Sequence, residues 1–153
     1  MTLTFDAPTV ETSGARSLNV TDVERLNNLY TYDRERFGAD RSRLLRYLLR
    51  QPGTSAFSFG ESTITGYAFE NAGLLGPIVA DDSEGLVVLM HSATTAPAQG
   101  ARFVFVPHDS SHLSTLLSLG AEAVRTLRHQ RLAIPSLPGQ RHFIAGQLSL
   151  GEG

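Results

Sequence analysis

Apolar residues recur at helical spacing from Val23 through Leu26, Leu29 and Tyr30, which predicts a first helix ending before Gly38. Thr21 with Glu24 three residues later forms a capping box at its start. Asp40 is placed to cap a second helix in which Leu44, Leu45, Leu48 and Leu49 make one stripe, stopped by Pro52 and Gly53. From Ser55 the period changes to two. Ala56 to Phe59 and Ile64 to Glu70, joined through Gly60 to Thr63, read as an antiparallel hairpin, and Leu74 to Ala80 as a third strand.

Asp81, Asp82 and Ser83 suit the N-terminus of a third helix carrying Leu86, Val87, Leu89 and Met90. A strand over Arg102 to Val106 follows and is stopped by Pro107. Asp109 or Ser110 then caps a fourth helix with Leu113, Leu116 and Leu117, with Gly120 as its C′ residue. Two last strands are expected at Ala123 to Arg131 and Arg141 to Leu148, across a loop containing Pro135 and Pro138. The order predicts an α/β (α+β) sandwich, with a mostly antiparallel sheet of about six strands between helices on both faces. Leu26, Leu45, Leu48, Tyr67, Ile78, Leu89, Val104, Leu116 and Ile144 are the expected core. Residues 1–17, polar and carrying Pro8 and Gly14, read as a flexible tail that lends at most one weak strand, ahead of a single domain over 18–153.

Composition narrows the chemistry. The 153 residues suffice for one core without staples, and no cysteine means no disulfide, thiolate nucleophile or Cys-based zinc site. All 13 basic residues are Arg, which removes a Schiff-base or P-loop lysine. A net charge of -2 gives no general attraction to nucleic acid or anionic membrane. The Arg34, Arg36, Arg41, Arg43, Arg46 and Arg50 cluster is interleaved with Asp33, Glu35 and Asp40, so it reads as a solvated or internally paired face. The N-terminus has no signal-peptide pattern and no run reaches membrane-spanning length, so the expected location is the cytoplasm.

The stretches YDRERFGADRSRLL (Tyr32 to Leu45), ITGYAF (Ile64 to Phe69), LLGPIVADD (Leu74 to Asp82) and LLSLGAEAVRTLRHQRL (Leu116 to Leu132) carry a resemblance in their order and spacing. The chain resembles the GNAT superfamily of acyl-CoA-dependent N-acyltransferases, and within it the second, C-terminal domain of tandem GNAT proteins. The resemblance implies an acyl-CoA N-acyltransferase, with acetyl-CoA as the natural donor and an amine of unknown identity as acceptor. It also implies a homodimer or a second GNAT-like domain as partner. By family position, the backbone of Ile78, Val79 and Ala80 would meet pantetheine, and Ser83 and Gly85 would lie at the pyrophosphate.

The chain departs from that pattern in two places. Where catalytic relatives read Q/R-x-x-G-x-G/A, residues 80–85 read ADDSEG. Each added carboxylate would repel a phosphate charge by about 1 to 4 kcal/mol at a few ångströms, so acetyl-CoA is expected to bind weakly or not at all. Where relatives commonly place a tyrosine acid, this chain has Leu116, which has no proton to give. The alternative function is therefore a non-catalytic GNAT-like module for partner or small-ligand binding. If catalysis is retained, Glu70, His108 and His112 are the candidate bases. His108, Asp109 and His112 also spell H-D-x-x-H, but with no third ligand at a fixed spacing no metal site is predicted.

Overall fold

The computed structural model describes residues 1–5, 14–95, 101–107, 110–126 and 144–146, with the side chains of Phe5 and residues 144–146 outside the description. The strands are β1 (Thr2–Phe5), β2 (Arg16–Ser17), β3 (Ser55–Phe59), β4 (Gly66–Asn71), β5 (Leu74–Ala80), β6 (Arg102–Phe105), β7 (Glu122–Arg125) and β8 (Ile144–Gly146). The helices are α1 (Val23–Phe37), α2 (Ser42–Leu49), α3 (Ser83–Thr95) and α4 (Leu113–Ser118).

The sheet runs β2-β3-β4-β5-β6-β1-β7, and β8 pairs with β5 off this path. Among the described residues every pairing is antiparallel except β5 with β6. Strand alternation divides the core between two faces. Tyr67, Phe69 and Val79 join Leu26, Leu29 and Leu45 of α1 and α2 on one face. Ala68, Ile78 and Ala80 join Leu86, Leu89 and Met90 of α3 and Leu116 of α4 on the other. Among the expected core residues, Leu48 is half-buried against the α1–α2 cluster, and the side chain of Ile144 lies outside the description.

The tail assignment needs correction. Residues 2–5 form a strand between β6 and β7 and bury Leu3 completely, and residues 16–17 extend β3 as β2. The Met1 ammonium donates to Val106 O at 2.7 Å, and the Val106 amide donates back to Met1 O at 2.8 Å. The gap between two non-adjacent strands satisfies both edges of β1, a pairing that four residues of local sequence do not announce. The cap of α1 also differs: Asp22 accepts from the Arg25 amide at 3.0 Å, while Thr21 donates to Asn19. Asp40 does accept from the Ser42 amide at 2.9 Å, and Gly120 takes a positive φ of 89° at the end of α4. No described helix is long and apolar enough to cross a membrane.

Candidate functional site

The site begins with a break in β5. Its first residues pair in parallel with β6, Leu74 with Phe103 and Leu75 with Val104. Gly76 and Pro77 then interrupt the ladder. Against β4 the partners step from Glu70↔Leu75 to Ala68↔Ile78, so the strand carries a bulge. Gly76 stands at φ 143°, a region that suits glycine, and Pro77 has no N–H to give to a ladder. Bulges increase local twist, and beyond this one β5 no longer pairs with β6. The edge thus released, at Ile78 and Val79, pairs with β8 through Ile78↔Gly146 and Val79↔Ile144.

At the end of β5 the carbonyl of Ala80 accepts from His112 Nε2 at 2.8 Å. A carbonyl only accepts, so Nε2 is the donor in this contact. The other ring nitrogen, Nδ1, is buried and has no hydrogen-bond partner among the described residues. His112 lies just before α4, where its amide is held by Ser110 Oγ at 3.2 Å.

The three acids after β5 have separate tasks. Asp81 accepts from Arg36 at 2.8 and 3.0 Å and from the Tyr32 hydroxyl at 2.8 Å, which ties α1 to the end of the sheet. Partial burial pushes the Asp81 carboxyl up, but the hydrogen bonds from Arg36 and Tyr32 outweigh it and hold it below its ordinary value. Burial and then the neighbouring carboxylate push the Tyr32 phenol well above its ordinary value. Asp82 caps α3, accepting from the Gly85 amide at 2.7 Å. Glu84 is exposed in the first turn, where its charge suits the helix dipole.

Ser83 and Gly85 have local explanations too. Ser83 Oγ lies 3.0 Å from Thr115 Oγ1 and joins the start of α3 to α4. A Cβ on Gly85 would stand 2.8 Å from Cδ1 of Phe59, so packing against β3 requires the glycine.

The backbone groups that acyl-CoA would meet are already engaged by the chain itself, so binding has to displace their internal partners. β8 pairs with Ile78 and Val79, His112 holds the Ala80 carbonyl, and Asp82 holds the Gly85 amide. A phosphate at a helix N-terminus needs free amides, and here an internal carboxylate already has one.

Of the candidate bases, Glu70 and His112 are not brought together. Glu70 is buried on β4, and its Oε1 accepts from the Gly73 amide at 2.8 Å, closing the turn into β5 at the strand end opposite Asp81. His112 lies beside Ala80, and His108 is outside the described residues. Leu116 is fully buried in the core on the α3 face. Among the described residues no cluster of His, Asp or Glu could hold a metal ion.

A second network went unread in the sequence. Asp33, 1% exposed, accepts from Arg41 at 2.5 and 3.1 Å and from the hydroxyl of fully buried Tyr67 in a short hydrogen bond. The Arg41 guanidinium stacks 3.5 Å from the centre of the Phe37 ring. Burial pushes the Tyr67 phenol well up, and burial of Arg41 is outweighed by its acidic partners, which raise it. Two of the clustered arginines, Arg36 and Arg41, are thus internal braces. The interleaved acids pointed to pairing, but which acid meets which arginine depends on how α1 and α2 fold back over β4.

The fold defines a class: a mostly antiparallel sheet with helices on both faces and, among the described residues, one parallel strand pair that separates at a bulge. Residues 29–142 match the family model described as "Acetyltransferase (GNAT) domain", and the chain belongs to that family. The solved structure of "A Putative Acetyltransferase from PYROCOCCUS HORIKOSHII" superposes with a TM-score of 0.75 at 19% identity, covering 99% of this chain. This chain spans 51% of that protein's length. No curated protein matches the sequence.

Proposed function

We propose that this chain is an acyl-CoA N-acyltransferase domain, with acetyl-CoA as donor and an amine as acceptor, whose donor slot is the edge of β5 beyond Gly76 and Pro77. The separation of β5 from β6 at that bulge carries the reading, because it releases a strand edge inside a GNAT fold. The resemblance to the second domain of tandem proteins, and the match to half of the longer Pyrococcus horikoshii protein, support a second GNAT-like domain or a second copy as partner.

The test is thermal unfolding with increasing acetyl-CoA. A ligand at 100 times its dissociation constant stabilises the folded state by about 2.7 kcal/mol. The expected result is a saturable upward shift that needs millimolar ligand, since binding has to displace internal partners. No shift at any concentration would favour the second reading, a non-catalytic GNAT-like module for partner or small-ligand binding. That reading is supported by the Asp82 cap on Gly85 and by Leu116 in the core.

A further inference from the structure

We infer that β8 is an internal competitor for the donor slot, so that pairing of Ile144–Gly146 with β5 and binding of acyl-CoA exclude one another. The inference rests on the acyl-CoA reading above and adds a means of regulating that site. Ile78 and Val79 are fully buried, and a strand edge buried with its backbone groups unpaired costs free energy. Once the bulge takes β5 away from β6, something with backbone-like hydrogen-bonding groups has to complete that edge. β8 does so here. The pantetheine arm carries two amide groups in an extended chain and offers the same kind of donors and acceptors, so strand and arm suit one place for one physical reason.

The occupant is also built to be weak. Its pairing spans three residues, is broken by an irregularity between Ile78 and Val79, and includes Gly146, which loses more backbone entropy on ordering than other residues. By contrast β4 holds the other edge of β5 from Gly66↔Ala80 to Asn71↔Leu74. Short pairings of this kind open locally well before a domain unfolds.

The experiment uses the full chain with Ala145→Pro, which removes a backbone donor in β8 and leaves β5 unaltered. Hydrogen exchange in the Ile78 to Ala80 segment should quicken, while the far-ultraviolet spectrum stays that of the wild type. Acetyl-CoA should bind at least tenfold more tightly by calorimetry. Faster exchange with an affinity within twofold of wild type would overturn the competition and leave the acyltransferase reading standing. Binding by neither protein would overturn that reading and the competition with it. A second measurement needs no variant: in the wild type, saturating acetyl-CoA should speed exchange at Ala145 and Gly146 while Ile78 and Val79 stay protected. Unchanged exchange in β8 with ligand bound would refute the inference even if Ala145→Pro failed to fold.

Discussion

Asp82→Ala should move stability and ligand binding in opposite directions. In the folded chain the Asp82 carboxylate accepts from the Gly85 amide at 2.7 Å. Losing an N-cap acid costs about 0.5 to 2 kcal/mol, so the urea midpoint should fall. The same change frees the amide and removes a negative charge from the place a pyrophosphate would occupy. At about 4 Å in a well-solvated setting that charge is worth roughly 1 kcal/mol, and Asp82 is exposed, so the low end of the range applies. A hydrogen bond from the freed amide to a charged oxygen adds at least about 1.5 kcal/mol. Together these approach 2.5 kcal/mol, on the order of a fiftyfold gain in acetyl-CoA affinity, since tenfold corresponds to about 1.4 kcal/mol. The closure by β8 is common to both proteins and cancels in the ratio. Calorimetry at low and high salt reads the effect, and the charge part should shrink as salt rises. Glu84→Gln removes a nearby charge from a residue outside the cap, so its gain should be about fivefold at most. A folded Asp82→Ala protein whose affinity lies within twofold of wild type would refute the reasoning.

Asp33→Ala strands Arg41 and the Tyr67 hydroxyl in the interior and should cost about 3 to 5 kcal/mol in urea unfolding. Tyr67→Phe removes one hydrogen bond to the same carboxylate and should cost about 1.5 to 3 kcal/mol; the reverse order would contradict the network. Asp81→Asn should lower stability by on the order of 1 kcal/mol at pH 7, a partly exposed pair being worth little more. Because the folded-state Asp81 carboxyl is held low, its contribution is complete above the unfolded value near 3.9 and is lost as pH falls through the folded value. Wild type and variant should therefore converge in unfolding scans below about pH 4, and a gap that stays constant from pH 7 to 3 would contradict the assignment. Leu116→Tyr places a phenol in a fully packed position and should cost about 1 to 3 kcal/mol without any gain in acyl transfer. A measurable rise in turnover would show that the position does face the reacting groups.

Much of this protein is written locally. The helical stripes of α1 and α2, the change to period two at Ser55, and the run from Leu74 to Ala80 place those elements by local pattern alone. Asp40, Asp82 and Gly120 act at helix ends as their chemistry predicts, because capping depends on residues only two or three positions away. The acids at 81 and 82 could be read as hostile to phosphate. Their actual partners, Arg36 and Tyr32 for one and the Gly85 amide for the other, needed the fold, since α1 reaches Asp81 across more than forty positions of sequence.

Gly76 and Pro77 carry a local signal as well, for a proline inside a buried strand marks a bulge. What no local pattern contains is the choice of strand neighbours. Residues 2–5 are inserted between β6 and the edge strand β7, and residues 144–146 close the slot in β5. A strand edge is satisfied by any backbone that can reach it, so its occupant is decided by which segments distant in sequence the tertiary fold brings beside it.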